Sequence, residues 1–311
     1  MSETKINILL TGSTGMVGKN IIDRAPKEYN LLTPGRNELN LLDPGDCREY
    51  LTKHQPEFII HAAGIVGGIQ ANMKYPVKFL IENTDMGRNL IMSAAEANIK
   101  RLINLGSSCM YPKDYKNPLK EEYLFADKLE PTNEGYALAK LFTQRLCQYI
   151  SKENEHLNYK TVIPCNLYGK YDKFDPLYAH MIPSVIRRMH DAKQENAQSM
   201  TIWGDGTARR EFMYAADLAD FIWFSVKNYQ KIHDTINVGL GHDYSITEYY
   251  KTIAEVVGFH GKFIHDTTKP VGMRQKLVDT SLQQSLGWEP AISLKEGIRS
   301  TYQYFLKHHA K

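Results

Sequence analysis

Tyr136 and Lys140 are the two residues whose types and spacing most clearly suggest chemistry in this chain. Residues four apart on a helix lie on the same face. An ammonium group held near a phenol favours the phenolate, so it lowers a phenol pKa that is ordinarily about 10. The pair therefore predicts a general acid for a reducible carbonyl group. The alternative interpretation is a solvated lysine beside a half-buried tyrosine.

Ser107 and Cys109 form a second candidate set, because they closely follow the apolar segment 101–105. In a doubly wound parallel sheet, ligands bind beside the carboxyl ends of the strands. A serine hydroxyl there can hydrogen-bond a substrate carbonyl oxygen, which would complete a catalytic set of Ser107, Tyr136 and Lys140. The alternative is an ordinary tight turn after a strand.

Cys109 also suggests the removal of a proton from carbon. A thiol in an electropositive environment loses its proton, and a thiolate can take a proton from a carbon next to a ketone. Such a base needs an acid on the opposite face of the ring. His180 is the candidate acid, because imidazole delivers protons near neutral pH. The alternative for Cys109 is a buried structural thiol.

The element that must position a cofactor lies at the amino terminus. The largely apolar segment 6–11 predicts a strand, a glycine-rich turn follows, and a helical pattern comes next. Glycines let the backbone approach a pyrophosphate, and the helix N-terminus supplies amides and the positive end of a dipole. The G-x-x-G-x-x-G spacing resembles that of the extended short-chain dehydrogenase/reductases, which also use Tyr-x-x-x-Lys. We expect cofactor contacts from the whole turn, namely Gly12, Ser13, Thr14, Gly15, Met16, Val17 and Gly18.

Arg36 bears on the choice of cofactor. The segment 31–36, near the end of the expected second strand, offers no acidic residue for a ribose 2′-hydroxyl. An arginine at this place suits a 2′-phosphate, so the sequence favours NADP over NAD.

Strand-like and helix-like segments alternate along the first half of the chain. Strands are expected at 58–61, 101–106 and 160–164, and helices at 77–98 and 136–151. This alternation predicts an α/β fold, a doubly wound parallel sheet of the Rossmann type with helices on both faces. We assign residues 1–165, completed by about 213–240, to an NADP-binding domain, and residues 166–212 and 241–311 mainly to a smaller α/β substrate lobe.

Composition excludes several functional classes. The 311 residues are 42% hydrophobic, which is enough for one large α/β core with an appended lobe. A formal charge of +3 does not indicate a binder of nucleic acid or of polyanionic surfaces. No apolar run has membrane-spanning length and the first residues have no signal-peptide core, so we expect a soluble cytoplasmic protein. The four dispersed cysteines predict free thiols, and without Cys-x-x-Cys or His-x-x-x-His pairs we expect no metal site.

Several longer motifs resemble the GDP-L-fucose synthases, a family of extended short-chain dehydrogenase/reductases. The resemblance covers nearly the whole chain in order. It implies an NADPH-dependent 3,5-epimerase and 4-reductase that converts GDP-4-keto-6-deoxy-D-mannose to GDP-L-fucose, and it suggests a homodimer. The motifs are HAAGIVGGI at 61–69, GSSCMYP at 106–112, EPTNEGYALAK at 130–140, NLYG at 166–169, WGDGT at 203–207, REF at 210–212 and LGW at 286–288.

The same resemblance implies a role for individual residues. Cys109 and His180 would be the base and acid of epimerisation, while Tyr136, Lys140 and Ser107 would serve the carbonyl group. Lys140 would also hold the nicotinamide ribose. The residues lining the cofactor would be Leu105, Gly106, Ser107, Ser108, Pro164, Cys165, Asn166, Leu167 and His180. The residues contacting the GDP-sugar would be Arg188, Trp203, Arg210 and Asp279, with Arg187 and Arg209 as neighbours of the same chemistry.

The chain departs from the family pattern at two places. Ser13 and Thr14 stand where the family often carries His-Arg, so one expected basic contact to NADP is missing and Arg36 is the main candidate for the 2′-phosphate. Ile65 replaces a frequent basic residue before Val-Gly-Gly.

Three other functions compete with this interpretation. Sugar-nucleotide 4,6-dehydratases resemble a pattern with Thr-Asp-Glu after the same strand, and the absence of a carboxylate beside Ser107 disfavours dehydration. An epimerase/reductase or simple 4-reductase of a related GDP-4-keto sugar, such as the dideoxy precursor of colitose or a 6-deoxyheptose, could use the same residues. A non-catalytic NADP-binding regulatory protein would be expected to lack Tyr136, Lys140 or Ser107, and all three are present.

Overall fold

The computed structural model describes residues 5–175, 179–268 and 273–310. The strands are β1 (Ile6–Thr11), β2 (Tyr29–Leu32), β3 (Phe58–His61), β4 (Arg101–Leu105), β5 (Asn158–Pro164), β6 (Asn166–Tyr168), β7 (Ser199–Trp203), β8 (Arg209–Arg210), β9 (Phe212–Tyr214), β10 (Thr235–Val238), β11 (Tyr244–Ser245), β12 (Lys262–Asp266) and β13 (Gln275–Lys276). The helices are α1 (Met16–Asp23), α2 (Pro44–His54), α3 (Ile69–Lys74), α4 (Pro76–Glu96), α5 (Glu134–Glu153), α6 (Met181–Gln194), α7 (Ala215–Lys227), α8 (Ile246–Val257), α9 (Ser281–Ser285) and α10 (Leu294–His308).

Six strands form one parallel sheet in the order β10-β5-β4-β3-β1-β2. The order runs outward in both directions from β1 and β3, which is the doubly wound arrangement predicted from the alternating sequence. The strands are short and most of their residues are buried, as expected for a parallel sheet covered on both faces. The predicted α/β fold class is therefore confirmed.

Helices cover both faces of this sheet because successive strand residues point to opposite sides. Ile8 and Ile60 pack in one cluster with Phe221 of α7. Leu9 and Ile59 pack in the cluster on the other side, with residues of α2 and α4. The expected helices at 77–98 and 136–151 are present as α4 and α5, with ends shifted by one or two residues.

A third hydrophobic cluster, separate from the two on the large sheet, lies under the helices of the C-terminal half. It joins Ile186 and Met189 of α6, Tyr249 and Ile253 of α8, and Phe305 of α10. The strands around it form small sheets, with β12 beside β7, β6 beside β9, and β8 between β11 and β13. No helix of the described segments is long and apolar enough to cross a membrane.

The segment 275–279 forms hydrogen bonds with β8 and also with Asn117 and Leu119. Lys276 is paired with Arg210 in the parallel register of β13 and β8. The Leu277 amide donates to the Asn117 side-chain oxygen at 3.0 Å, and the Leu119 amide donates to the Leu277 carbonyl at 2.8 Å. These bonds bring a C-terminal strand beside residues that follow β4.

Candidate active site

The glycine turn between β1 and α1 packs so closely against its own chain that two of its positions have no room for a side chain. Gly12 has φ of +71°, and a Cβ placed on it would lie 2.6 Å from the Ala63 backbone nitrogen. A Cβ on Gly18 would lie 2.2 Å from the Gly12 carbonyl oxygen. Gly15 caps α1 without a side-chain hydrogen bond, so no side chain of its own occupies the first amides of the helix. A compact turn with open helix amides fits a dinucleotide pyrophosphate.

The other segments expected to line the cofactor lie at the same edge of the sheet. Parallel strands end at one edge, and the register pairs Thr11 with His61 and Leu105 with Val162. Segments 105–108 and 164–167 follow the neighbouring strands β4 and β5, so they flank one crevice. Arg36 follows β2 at that edge and is exposed.

Ser107, Cys109 and Tyr136 lie together at the start of a short 3₁₀ helix, Ser108–Met110. Ser107 caps this helix, and its Oγ accepts from the Cys109 amide at 3.2 Å. The Ser107 hydroxyl is also a hydrogen-bond partner of the Tyr136 phenol. All three side chains are partly accessible rather than fully buried. The structure thus brings together the serine and tyrosine expected to serve a carbonyl oxygen.

Burial raises the pKa of Tyr136 above its ordinary value, the neighbouring Cys109 raises it further, and the hydrogen bond from Ser107 lowers it. The prediction that the Lys140 ammonium lowers this pKa is therefore wrong. Lys140 Nζ lies 5.9 Å from the Tyr136 ring centroid and donates to the Leu105 carbonyl oxygen at 2.8 Å. Removal of the phenol from water outweighs a cation at that distance. The phenol consequently keeps the proton that a general acid needs.

Lys140 is itself 7% exposed, and burial lowers its pKa to about 8. Its ammonium therefore still predominates at neutral pH. His61 lies below it in the sheet and is bonded through Nδ1 to the Thr11 hydroxyl at 2.8 Å. Burial, and secondarily Lys140, lower the pKa of His61 to about 3. The imidazole is therefore neutral and leaves Lys140 as the charged group at this position.

The Cys109 sulfur receives two hydrogen-bond donors that were not predicted as functional. Asn133 Nδ2 lies 3.2 Å from Cys109 Sγ, and Lys276 Nζ lies 3.7 Å from it. Asn133 stands three residues before Tyr136 in the EPTNEGY motif, so the local sequence already indicated that it lies near the candidate site. Lys276 is 167 residues from Cys109, and no pattern within the sequence links the two.

His180 caps the N-terminus of α6 without a side-chain bond to that helix. Burial lowers its pKa, and the charges of Lys173 and Lys276 lower it further. Because Lys276 acts on His180 and contacts Cys109, the expected acid and base lie around one ammonium group. Tyr178 and its two preceding residues lie outside the described segments.

The side chains expected to contact a GDP-sugar are spread over the second lobe. Arg188 donates to the Thr201 carbonyl oxygen at 3.0 Å and to the Tyr250 hydroxyl at 3.4 Å. Trp203, at the end of β7, is 53% exposed. Burial lowers the pKa of Arg210, which lies on β8.

The adjacent arginines are engaged elsewhere. Arg209 forms an ion pair with Asp243 at 2.6 Å and also donates to the Asp243 carbonyl. Arg187 donates to the Phe174 carbonyl oxygen at 3.1 Å. Asp279 accepts from the Ser281 amide at 2.9 Å, and its own amide donates to the Leu119 carbonyl at 2.8 Å.

Comparison with known proteins identifies the family. Residues 8–239 match the NAD dependent epimerase/dehydratase family. The chain is 55% identical over 302 residues to the GDP-L-colitose synthase of Yersinia pseudotuberculosis, covering 97% of this chain and 98% of that protein. It is 45% identical over 300 residues to the GDP-L-fucose synthase of Azorhizobium caulinodans, covering 96% of each.

Among solved structures, the GDP-mannoheptose C4 reductase from Campylobacter jejuni with NADP bound has a TM-score of 0.89 and 30% identity. The match covers 98% of this chain and 100% of that one. The resemblance drawn from the motifs is thereby confirmed. The chain is a nicotinamide-dependent enzyme that belongs to the NAD dependent epimerase/dehydratase family, with GDP-L-fucose synthases among its relatives.

Proposed function

We propose that the protein catalyses the 3,5-epimerisation and NADPH-dependent 4-keto reduction of GDP-4-keto-6-deoxy-D-mannose to GDP-L-fucose. The observation that carries this proposal is the position of the Cys109 thiol. The Cys109 backbone amide donates to Ser107, which is bonded to Tyr136, and the Cys109 sulfur has two donors of its own. A plain ketoreductase needs a phenol at the carbonyl oxygen but no thiol beside it.

Epimerisation uses the acidity that a 4-ketone gives to the hydrogens on C3 and C5. Cys109 Sγ takes the carbon-bound proton, and the electron pair moves to O4 as an enolate. Ser107 and Tyr136, which are bonded to each other, donate to that oxygen and stabilise its charge. His180 then returns a proton to carbon from the other side of the ring, which inverts the centre.

Reduction uses the same donors in a second step. Bound NADPH would supply the hydride to C4. Tyr136 gives its proton to O4, and Ser107 orients that oxygen. Lys140 lies beside this pair with its ammonium bonded to the Leu105 carbonyl, where it can also bind the nicotinamide ribose. The raised pKa of Tyr136 keeps the phenol neutral, as a proton donor must be.

The cofactor is NADP in this proposal. The glycine turn accommodates the pyrophosphate, and Arg36 at the carboxyl edge of the sheet suits a 2′-phosphate. The segments expected to line the nicotinamide half are 105–108 and 164–167, with His180 at its end. NADP is bound in the Campylobacter jejuni reductase that this structure resembles.

The GDP-sugar binds across the second lobe. Arg188 and Arg210 suit a pyrophosphate because a guanidinium presents paired donors to phosphate oxygens. Trp203 offers an exposed aromatic face for the base, and Asp279 accepts hydrogen bonds. The second lobe is thus the substrate lobe and the large sheet the cofactor domain.

A second candidate substrate is the GDP-4-keto-dideoxy precursor of colitose, which lacks the 3-hydroxyl group. The 55% identity to a GDP-L-colitose synthase favours it. The same residues would act on it, but C3 would not be a stereocentre. Inversion would then be confined to C5.

The test supplies purified protein with NADPH and either ketosugar in deuterated water. The fucose reaction predicts NADPH oxidation and GDP-L-fucose with deuterium at C3 and C5, identified by mass and NMR. Preference for the dideoxy sugar would transfer the assignment to the second candidate. Reduction without carbon-bound deuterium would indicate a simple 4-reductase, and no turnover of these or of a GDP-4-keto-heptose would reject the enzyme function in favour of a non-catalytic NADP-binding protein.

We also infer a homodimer formed through α4 and α5. These adjacent helices carry exposed apolar residues on their outer faces, including Val77, Ile81, Leu138 and Phe142. Two such helix pairs from two copies can bury each other in a four-helix arrangement about a two-fold axis. Four free cysteines and no described disulfide support a cytoplasmic location.

A further inference from the structure

Lys276 is held in place by bonds on both sides of its strand. On one side β13 pairs with β8, and on the other the Leu277 amide donates to Asn117. The Val278 amide donates to a Glu211 carboxylate oxygen at 3.0 Å. A lysine on a strand fixed in this way cannot be displaced unless hydrogen bonds of the main chain break. Its position next to Cys109 is therefore part of the fold.

Two donors converge on the Cys109 sulfur, the Asn133 amide at 3.2 Å and the Lys276 ammonium at 3.7 Å. A neutral thiol has a proton of its own to place and is a weak acceptor. A thiolate has no proton and accepts charge-assisted hydrogen bonds strongly. The geometry around the sulfur therefore matches an anion better than a thiol.

Among the described charged and titratable groups around Cys109, Lys276 is the one that can stabilise a negative charge on the sulfur. From α5, Tyr136 presents a phenol that burial keeps neutral. Arg210 lies opposite Lys276 in the strand register, and the carboxylates of Glu130 and Asp243 act on it. Burial first, then the charge of Lys173 and that of Lys276, lower the pKa of His180.

We propose that Lys276 is a positioning residue of the epimerase, whose ammonium donates to the Cys109 sulfur and stabilises its thiolate form, while it plays no part in hydride transfer. The inference rests on the proposed function and adds a residue to it. In the step it supports, the C–H bond beside the ketone breaks, its proton forms the S–H bond of Cys109, and its electron pair goes to the ketone oxygen. The same ammonium makes a protonated His180 readier to release its proton to carbon. No oxidant or reductant is consumed.

The test measures the rate at which iodoacetamide alkylates Cys109 in the full-length protein, followed by mass spectrometry of the Cys109 peptide. Iodoacetamide is uncharged and reacts with thiolate, so its rate reports the thiolate fraction. At pH 7, Lys276→Met should slow alkylation at least tenfold, because loss of a cation within hydrogen-bond range disfavours the anion. Lys276→Arg should restore most of the rate, since it keeps the charge.

Two controls separate charge from access. At pH 10 the wild-type and Lys276→Met rates should converge, whereas a difference that persists there would mean that the lysine merely shapes the entrance and would overturn the proposal. Lys173→Met removes another cation that acts on His180 but has no described bond to Cys109, and it should leave the alkylation rate unchanged. Equal rates for wild type and Lys276→Met at pH 7 would also reject the proposal. If Lys276→Met has a much lower melting temperature than the wild type, Lys276→Gln is used instead.

A second measurement distinguishes this inference from the proposed function. Alkylation needs no sugar, so it tests Lys276 even if the substrate is different. Deuterium exchange into the ketosugar without NADPH should fall at least tenfold in Lys276→Met, with NADPH binding unchanged. Slow alkylation of Lys276→Met, together with no deuterium exchange in the wild-type protein, would refute epimerisation. It would still support the interaction of Lys276 with Cys109.

Discussion

The Tyr136 phenol lies between Ser107 and Cys109, where burial rather than a nearby cation sets its protonation. Sequence spacing suggested that Lys140 would make it more acidic, yet the lysine ammonium is bonded to the Leu105 carbonyl. A donor that keeps its proton until O4 becomes negative is useful, because the proton then moves only when the transition state demands it. At this scale, catalysis depends on which atoms the phenol can reach.

Tyr136→Phe should lower the rate of NADPH oxidation by about 10²- to 10⁴-fold, because no donor would remain at O4. The measurement is absorbance of NADPH with the ketosugar at saturation. Tyr149→Phe, on the same helix but 55% exposed, is the matched control and should keep full activity. Turnover within a few-fold of wild type in Tyr136→Phe would remove the phenol from the mechanism.

Cys109→Ser should slow deuterium exchange at carbon by at least about 10²-fold, because an alcohol is a far weaker acid than a thiol and supplies almost no anion at neutral pH. Binding of NADPH, followed by its fluorescence, should be unchanged. Exchange at the wild-type rate would return Cys109 to the structural role that buried thiols usually have.

At the scale of secondary-structure elements, Glu211 joins three separate segments. It lies between β8 and β9 and is 1% exposed. One carboxylate oxygen accepts from the Leu240 and Gly241 amides, at 2.6 and 3.1 Å, and the other from the Val278 amide at 3.0 Å. Burial nevertheless raises its pKa to about 7. The strand that carries Lys276 is thus held by a carboxyl group that titrates near neutral pH.

Glu211 should make the protein less stable as the pH rises from about 4.5 to 7. In this window the unfolded state loses the carboxyl proton while the folded state keeps it. The free energy of unfolding therefore falls by about 3 kcal/mol by pH 7. The measurement is urea unfolding of wild type and Glu211→Gln across the window. The wild type should lose stability relative to the variant with rising pH, and a pH-independent difference would contradict this.

The parts of the site that local sequence revealed are those that lie within one element or directly after it. Ser107 and Cys109 follow β4, Tyr136 and Lys140 share a helix turn, and the glycine turn joins β1 to α1. Lys276 could not be found in this way, because its contact with Cys109 arises from hydrogen bonds of its strand to Asn117 and Leu119, which are distant in the sequence. Helix ends were predicted within one or two residues, since the apolar periodicity fades gradually at a helix end.

At the scale of the whole molecule, one face of the large domain is unusually apolar. Val77 is 72% exposed and Ile81 50% exposed on α4, and Leu138 and Phe142 on α5 are each more than 40% exposed. Four apolar side chains on two neighbouring helices make a contiguous patch of the kind that marks an interface. The face lies on α4 and α5, and on α5 Leu138 and Phe142 are exposed while Lys140 is buried, so two copies could join without covering Lys140.

Phe142→Glu should shift the protein from dimer to monomer, because it would bury a carboxylate in the centre of that patch. Sedimentation at micromolar concentration measures the change. Ile264→Glu replaces an apolar residue that is 54% exposed, compared with 42% for Phe142, but lies on β12 in the second lobe, and it should leave the dimer intact. A monomeric wild-type protein would reject the interface.

The distribution of the reactive groups along the chain has an evolutionary consequence. Ser107, Tyr136 and Lys140 occupy a short central stretch, whereas the ammonium beside the thiol arrives on a strand near the carboxyl terminus and the imidazole begins α6. Under the proposed mechanism, substitutions at Lys276 or His180 would therefore change inversion while Ser107, Tyr136 and Lys140, the residues proposed for reduction, stay untouched. Such a division provides a simple route by which enzymes that invert and enzymes that only reduce can diverge from one ancestor on one scaffold.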